Sequence, residues 1–282
     1  MRIAALQMVS TPNVSDNLEA AARLIARAAS DGAQLALLPE VFATLEGLSP
    51  LAEVAEVDAS HGHAAATPLQ DFLSAHAALH GLTLIGGTIP LLSRPDGSLI
   101  DDGRVRASSL VYDDKGVRVA RYDKIHLFDV KVDDAQSQYS ESLSYEAGET
   151  PTCTPLGDIN LGLSVCYDLR FAELYAQLAR LGATLITVPS AFTAVTGAAH
   201  WEPLLRARAI ENQCFVLAAG QGGRHSPTRE TWGHSMIVSP WGEVLDCCPT
   251  GEGVAIAEID SASLEALRRR MPISEHRKLS FD

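Results

Sequence analysis

Three side chains that could act together in catalysis lie at the ends of predicted β-strands. Glu40 and Lys124 each follow a predicted strand after one intervening residue, and Cys166 follows another directly. Ligands of α/β proteins usually bind at the carboxyl ends of strands. A carboxylate, an ammonium and a thiol that converge there supply a general base, a cation for an oxyanion and a nucleophile. The three strands are predicted over residues 35–38, 117–122 and 159–165.

Each of the three residues also has an ordinary structural explanation. A free cysteine is among the most frequently buried residues. Glu40 could be a solvated carboxylate or a helix cap, and Lys124 could pair with the neighbouring Asp123. The helix predicted to begin near Arg170 favours a reactive Cys166, because the positive end of a helix dipole lowers the pKa of a nearby thiol.

The elements that must position these residues alternate between strands and helices in the first third of the chain. Apolar residues recur there at helical spacing or in short continuous runs, and cap residues, prolines and glycines mark the helix ends. The predicted elements are strand 3–8, a helix over 18–28 that follows Ser15 and Asp16 and ends at Gly32, strand 35–38, a helix from Thr67 and Pro68 to Gly81, and strand 82–89.

The rest of the chain combines hairpins with further strand and helix alternation. Residues 129–148 are polar without clear periodicity, and we predict a loop there that is either disordered or functional. The pattern as a whole predicts mixed sheets covered by helices in one layered domain. The predicted elements are strands 105–112, 117–122, 151–155 and 159–165, helix 171–181, strand 184–188, helix 201–211, strands 214–218, 234–239, 243–245 and 254–259, and helix 264–269.

Composition and charge exclude several classes of protein. A chain of 282 residues with 46% hydrophobic and 20% charged residues is expected to fold. Its 22 basic and 35 acidic residues give a net charge of −13, which argues against nucleic acid or an anionic membrane as partner. No apolar stretch approaches the length of a membrane span, and residues 1–8 do not resemble a signal peptide.

Cysteine and histidine usage gives no indication of a disulfide framework or a metal site. The five cysteines are an odd number without a C-x-x-C pair, which favours a reducing cytoplasm. Cys247 and Cys248 are predicted in a surface turn. His61 and His63 flank Gly62 in a loop, but the sequence lacks an established metal-binding pattern. We therefore expect neither a metal nor another cofactor.

Three segments together resemble the signature motifs of the nitrilase superfamily, the carbon-nitrogen hydrolases. These are LLPE at residues 37–40, YDKIHL at 122–127 and GLSVCYDLRF at 162–171. The segments occur in the order of the family, with 84 residues from Glu40 to Lys124 and 42 from Lys124 to Cys166. The resemblance extends from Arg2 to about Arg277, and three motifs in register make it specific.

The resemblance implies roles for four residues. Glu40 would be the general base, Lys124 the cation that polarises the carbonyl, and Cys166 the nucleophile. Glu141 matches a second glutamate of the family and would orient Lys124 or the attacking water. The reaction would be amide hydrolysis through a cysteine thioester with release of ammonia, and the oxyanion would be held by Lys124 and the backbone N–H of Tyr167.

The same resemblance implies an α-β-β-α sandwich that pairs into a homodimer, or a higher homo-oligomer, as α-β-β-α-α-β-β-α. Residues 1–282 would then form a single domain. Its core would cover about residues 2–260, and the C-terminal extension of about 261–282 would lie at the dimer interface.

Residues near the nucleophile indicate the substrate. Arg170 lies about one helical turn past Cys166 and could bind a carboxylate in a bidentate fork, or form a structural ion pair. Phe192 and Thr196 would form the opposite wall. The second half of the chain is most similar to the branch that hydrolyses deaminated glutathione, an α-keto acid amide. The neighbouring omega-amidases act on 2-oxoglutaramate and 2-oxosuccinamate, and Arg170 suits both.

Two other interpretations remain. A papain-like enzyme would use His200 or His234 as the base for Cys166, but no sequence signature of that class is present. A non-catalytic interaction protein could also keep the fold. The intact set of catalytic residues argues against it, because a scaffold has no physical need for a thiol that faces two carboxylates.

Overall fold

Strands and helices alternate along the chain largely as the hydrophobic pattern predicts. The computed structural model describes residues 1–45, 51–62 and 65–279. Short 3₁₀ helices cover Ala59–His61, Glu141–Leu143 and Cys166–Arg170. The other elements are β1 (Arg2–Gln7), α1 (Val14–Ser30), β2 (Leu35–Leu37), α2 (Leu51–Val54), α3 (Pro68–His80), β3 (Thr83–Ile85), β4 (Ile89–Leu91), β5 (Arg106–Tyr112), β6 (Arg118–Asp123), β7 (Asp129–Lys131), β8 (Gln138–Ser140), β9 (Thr152–Leu156), β10 (Ile159–Leu163), α4 (Ala172–Arg180), β11 (Leu185–Ser190), α5 (Ala194–Asn212), β12 (Phe215–Gly220), β13 (Ser235–Val238), β14 (Val244–Cys248), β15 (Gly253–Glu258), α6 (Ser261–Arg270) and α7 (Ile273–His276).

The strands form two large sheets and one small hairpin. The first sheet has the order β15-β1-β2-β3-β5-β4, with β6 paired to β5. The second has the order β14-β13-β12-β11-β10-β9. The central strands β1, β2 and β3 are parallel, as are β10, β11 and β12, and antiparallel strands flank them. Strands β7 and β8 pair only with each other.

The two sheets pack face to face with helices outside. Ile3 and Ala5 of β1 belong to the same buried cluster as Leu161 and Leu163 of β10. Alternate residues of β1, such as Leu6, face a second cluster that includes apolar residues of α1 and α3. The period-2 alternation of a strand thus divides β1 between an inner and an outer core. The predicted α-β-β-α sandwich is confirmed.

The predicted strand 82–89 is wrong in its extent, because glycines divide it into β3 and β4. Gly87 has a φ of +52°, a conformation that L side chains rarely adopt. A Cβ atom on Gly87 would lie 1.9 Å from the carbonyl oxygen of Pro39. The chain therefore turns here to pack directly against the segment that leads into Glu40.

Four further predictions on local structure are corrected. Residues 129–148 are not a plain loop, since they contain β7, β8 and the 3₁₀ helix Glu141–Leu143. Helix α1 begins at Val14 because the side chain of Asn13 caps it, upstream of the predicted Ser15 and Asp16. Helix α5 begins at Ala194, before the predicted residue 201, with Thr193 as its cap. Cys247 and Cys248 lie in β14 rather than in a turn.

The predicted ends of α3 are confirmed, although Thr67 makes no capping hydrogen bond with its side chain. No helix within the described ranges is long and apolar enough to cross a bilayer. His61 ends an exposed 3₁₀ turn. His63, its partner in the histidine pair considered above, lies outside the described residues.

A buried ion network fixes the end of β6, immediately before Lys124. The Arg121 guanidinium donates to Asp58 Oδ2 and to Asp123 Oδ1, both at 2.8 Å, and Arg118 also pairs with Asp58. The side chain of Asp58 is 1% exposed. Burial opposes its ionised form, but hydrogen bonds from Arg118, Ser60 and Arg121 hold the pKa of Asp58 well below its usual value.

Asp58→Asn is expected to lower the free energy of unfolding at pH 7 by about 3 to 5 kcal/mol, because it removes the carboxylate that pairs with Arg118 and one of the two that pair with Arg121. A carboxyl whose pKa is lowered on folding contributes stability above its ordinary pKa of 3.8 and loses it as the pH falls below that value. The difference between variant and wild type should therefore shrink at acidic pH. Urea denaturation measures it, with the exposed Asp96→Asn as control. A difference below 1 kcal/mol at pH 7 would contradict this account.

Candidate active site

The ammonium of Lys124 is buried between two carboxylates. Its Nζ lies 2.8 Å from Glu40 Oε1 and 2.8 Å from both carboxylate oxygens of Glu141. The Lys124 side chain is 2% exposed. Burial disfavours the charge, but the Glu141 and Glu40 carboxylates outweigh it and hold the pKa of Lys124 well above its usual value. Lys124 is therefore a permanent cation in this site.

Both sheets contribute to the placement of Glu40 and Lys124. Lys124 follows β6, and its backbone N–H donates to the carbonyl of Ala107 in β5 at 2.9 Å. Glu40 follows β2, but its Oε2 accepts from the backbone N–H of Ala191, just after β11, at 2.9 Å. Its backbone carbonyl accepts from Gln221 Nε2, just after β12, at 3.1 Å. The carboxylate is therefore oriented by the opposite sheet.

Glu141 is positioned by the segment that was predicted as an irregular loop. Its Oε2 accepts from the backbone N–H of Phe128 at 2.6 Å. Burial and the nearby Glu40 charge raise the pKa of Glu141, while Lys124 lowers it, and the net direction is upward. The single positive charge of Lys124 thus neutralises only part of the negative charge of Glu40 and Glu141.

Cys166 is presented on a strained turn. It lies between β10 and α4, and its φ of +47° is in the left-handed region that side chains other than glycine seldom adopt. The residue is 7% exposed. Such a turn directs the thiol towards the cavity, away from the direction in which β10 continues.

Asp168 stabilises this turn and connects it to the Lys124 segment. Its Oδ2 accepts from the backbone N–H of Val165 at 2.8 Å and from the Tyr122 hydroxyl at 2.7 Å. Its Oδ1 accepts from the backbone N–H of His126 at 3.0 Å and lies 2.7 Å from the Nδ1 atom of that residue. The carboxylate is 0% exposed and joins the segments on both sides of the site.

The expectation of a lowered thiol pKa is wrong. Burial, followed by the charge of Glu40, raises the pKa of Cys166 well above its usual value, and the opposing effect of Lys124 is smaller. The residues after Cys166 form only a short 3₁₀ turn, and α4 begins at Ala172. Burial and the Glu40 charge therefore favour the protonated thiol.

One cavity of about 370 Å³ contains most of the predicted site. Among the described residues, its lining includes the predicted Glu40, Lys124, Cys166, Glu141, Tyr167, Phe192 and Thr196. It also includes residues that the sequence analysis did not identify, among them Gln136, Tyr139, Tyr145 and Arg229. Gln136, Tyr139 and Tyr145 lie in the segment 129–148, and Arg229 lies in the polar loop between β12 and β13. No local sequence pattern distinguishes these residues from surface residues.

Arg170 does not line this cavity. Its guanidinium carbon lies 5.8 Å from the ring centre of Tyr167 and 5.2 Å from that of Phe192, both of which are lining residues. Its Nη1 lies 3.1 Å from His200 Nδ1. Arg170 therefore contacts two lining residues, and neither Asp168 nor Glu173 forms an ion pair with it within the described part of the chain.

The two histidines considered as alternative bases also lie outside the cavity lining. His200 contacts Arg170, and His234 stacks on Trp232 with ring centres 4.2 Å apart. The carboxylate of Glu40 occupies the place beside the thiol instead. This arrangement disfavours the papain-like interpretation.

Comparisons with known proteins agree with the geometry. The sequence profile of the carbon-nitrogen hydrolase family matches residues 2–269. The chain is 42% identical to the deaminated glutathione amidase of Yersinia enterocolitica, over 98% of this chain and 92% of that protein. Its structure is similar to that of Saccharomyces cerevisiae Nit3, a member of branch 10 of the nitrilase superfamily, with a TM-score of 0.84 and 28% identity over 99% and 97% of the two chains. It also resembles the C. elegans NitFhit protein, with a TM-score of 0.81 and 37% identity, covering 98% of this chain and 65% of that one.

Asp168→Asn is expected to lower the free energy of unfolding by about 2 to 5 kcal/mol. The asparagine amide replaces one carboxylate oxygen with a donor, so that at least one buried donor loses its acceptor. Because the Cys166 turn is then less constrained, its alkylation by iodoacetamide should become faster. Urea denaturation and peptide mass spectrometry of the labelled protein measure the two effects. Asp158→Asn, in the exposed turn between β9 and β10, is the control, and unchanged stability of the Asp168 variant would contradict this role.

Proposed function

The chain belongs to the carbon-nitrogen hydrolase family, and we propose that it hydrolyses the amide bond of deaminated glutathione. As a member of this family it is a carbon-nitrogen hydrolase that acts on amides. The observation that carries the choice of substrate is the 42% identity to a deaminated glutathione amidase over 98% of this chain. The chemistry is argued below from the contacts of Glu40, Lys124, Cys166 and Glu141.

We propose Cys166 as the nucleophile and Glu40 as its general base. A buried thiolate without a compensating charge is costly, as the raised pKa of Cys166 reflects. Transfer of the thiol proton to Glu40 moves the negative charge from oxygen to sulfur without changing the net charge of the site. Lys124 stays close enough to stabilise the charge in either position. Deprotonation is therefore expected to accompany attack on the amide carbon.

The tetrahedral oxyanion would be held by the Lys124 ammonium and the backbone N–H of Tyr167. Both residues line the cavity beside Cys166. Loss of one such donor typically lowers the rate by about 10²- to 10³-fold. The protonated Glu40 then gives its proton to the departing nitrogen, the C–N bond breaks, and the acyl group remains on Cys166 as a thioester.

Hydrolysis of the thioester completes the cycle. Glu40 takes a proton from a water molecule as the water oxygen attacks the acyl carbon. The C–S bond then breaks, the carboxylic acid leaves, and Glu40 returns the proton to the sulfur of Cys166. We assign Glu141 the role of holding Lys124, since both of its oxygens lie 2.8 Å from the ammonium. The proposed steps need no metal or organic cofactor.

The leaving group depends on the substrate. Deaminated glutathione is an N-substituted amide, so the departing nitrogen is the amine of a dipeptide. Ammonia, which the sequence analysis expected, leaves only from a primary amide such as 2-oxoglutaramate. Both substrates carry an α-keto carboxylate on the acyl side. Tyr167, Phe192 and Thr196 are proposed to contact the substrate from the cavity wall.

Direct binding of that carboxylate by Arg170 stays a prediction. In the structure the Arg170 guanidinium contacts His200 through Nη1 and lies against the rings of Tyr167 and Phe192.

We also propose that two copies pair as α-β-β-α-α-β-β-α and that residues 1–282 form one domain with the C-terminal segment at the interface. Large apolar side chains that support such a contact are exposed on α5, beside β14 and near the C-terminus, namely Ile210, Trp241 and Leu279. The five cysteines are free thiols, which supports a cytoplasmic location.

The substrate proposal is tested by product analysis. Purified protein is incubated with deaminated glutathione, 2-oxoglutaramate and pentanenitrile, and 2-oxoglutarate, dipeptide amine, ammonia and pentanoate are quantified. We expect the highest kcat/KM with deaminated glutathione. Cys166→Ala should lose turnover while it stays folded, because the substitution removes little volume. Preference for 2-oxoglutaramate would make the protein an omega-amidase, and a folded wild type inactive on all three compounds would contradict the proposal.

Glu141→Gln should lower kcat by about 100-fold, because it removes one of the two anions that fix Lys124. The pKa of Glu141 is raised above its ordinary value of 4.5. As the pH falls, Glu141 of the wild type therefore gains a proton earlier than an ordinary glutamate, and we expect activity to be lost with it. The acidic limb of the kcat profile should therefore move to lower pH in the variant. Glu149→Gln, which changes an exposed glutamate, is the matched control. An unchanged acidic limb would assign the titration to another group.

A further inference from the structure

Arg229 is a buried cation in the wall of the cavity. It is 9% exposed and lies among the lining residues. Its Nη2 donates to the backbone carbonyl of Ala191 at 3.2 Å, and its guanidinium carbon lies 4.8 Å from the ring centre of Tyr139. Its buried Nε has no hydrogen-bond partner. No carboxylate of the described residues forms an ion pair with it.

Within the described ranges, this positive charge has no counter-ion. A guanidinium stays protonated in proteins, and a buried charge is unfavourable unless an opposite charge compensates it. The other cation of the cavity, Lys124, is already paired with Glu40 and Glu141. Arg229 therefore supplies the uncompensated positive charge of the lining, and its planar group of donors matches a carboxylate.

Arg229 is also close to the reacting atoms. The carbonyl of Ala191 accepts from Arg229, while the N–H of the same residue donates to the general base Glu40. A single residue thus separates the guanidinium from the proposed base. In an α-keto acid amide the carboxylate is only a short chain of carbons away from the amide carbon, whereas the carboxylate of a dipeptide leaving group is farther away. The acyl-side carboxylate is therefore the anion that fits.

A second unpaired atom lies in the same wall. The buried Oε1 of Gln136 has no hydrogen-bond partner, and Gln136 lines the cavity together with Tyr139. The Tyr139 ring is held in place because its hydroxyl donates to Asp134 Oδ2 at 2.8 Å. Unsatisfied buried polar atoms are rare in native proteins. The Arg229 Nε atom is a donor and suits a carboxylate, whereas the Gln136 Oε1 atom is an acceptor and suits a donor group elsewhere on the ligand.

We propose that Arg229 binds the α-keto carboxylate of the substrate and thereby restricts the enzyme to amides that carry an acyl-side carboxylate. This inference rests on the proposed function and specifies its substrate class. This proposal differs from the prediction that Arg170 binds the carboxylate. The Arg170 guanidinium lies against the rings of Tyr167 and Phe192. Arg229 is then a specificity-determining residue, while the chemical step belongs to Cys166, Glu40 and Lys124.

The kinetic test compares 2-oxoglutaramate with pentanamide, a primary amide of the same chain length without charge. Arg229→Gln should lower kcat/KM for 2-oxoglutaramate by about 10- to 100-fold, mainly by raising KM. The same substitution should change kcat/KM for pentanamide by less than about twofold. Arg229→Lys should recover part of the loss. Arg224→Gln, an exposed arginine of the same loop, is the control. Equal losses on both amides would overturn the proposal in favour of a structural role.

A binding test separates this inference from the proposed function. The rate at which neutral iodoacetamide alkylates Cys166 is measured with and without 2-oxoglutarate. The keto acid should slow alkylation in the wild type and in Arg224→Gln, but not in folded Arg229→Gln. If the wild type hydrolyses no α-keto acid amide, the proposed function fails while this test still reports on Arg229. Equal protection in all three proteins would overturn the inference.

Discussion

The pairing of one buried ammonium with two carboxylates is the constraint on which the rest of the structure depends. Lys124 and Glu40 belong to the first sheet, but Glu40 is oriented by the backbone after β11 of the second. A buried ion pair is favourable only when its geometry is maintained and its remaining hydrogen bonds are satisfied. The inner core between the sheets and the Asp168 bridge fix the relative position of the two sheets, and the Arg121 network fixes the end of β6 before Lys124. The fold can therefore be understood as the support that keeps these charges at hydrogen-bonding distance.

The raised thiol pKa changes how the proposed nucleophile should be understood. The sequence places Cys166 before a helix, which predicts a lowered thiol pKa. In the structure, burial and the adjacent carboxylate favour the protonated form. The two effects have opposite signs, and which one is larger depends on burial, a quantity that the local sequence does not contain. The proposed proton transfer from sulfur to oxygen therefore requires Glu40 to lie close to Cys166.

Sequence reasoning succeeded where a local pattern carries the information. The layered fold, the three strand ends and the cavity walls at Phe192 and Thr196 follow from short apolar runs and from three motifs in register. It failed where tertiary contacts decide. Residues 129–148 have no periodicity, because β7 and β8 are three-residue strands that pair with each other and, among the described residues, with neither large sheet. Of their six residues, Tyr139 is buried and the others are exposed or half-buried. Arg229 resembles any polar loop residue until the fold brings it against Ala191.

The close approach of Gly87 to Pro39 has a consequence for the evolution of the protein. Any side chain at position 87 would meet the main chain just before Glu40, and the φ of +52° adds a separate penalty. A random change at this position is expected to displace the Glu40 carboxylate, although glycine itself has no side chain that could take part in chemistry. Residues other than glycine are therefore disfavoured at position 87 because of backbone geometry alone. Conservation at position 87 in an alignment of relatives would record the shape of the turn, and should not be mistaken for a contact with substrate.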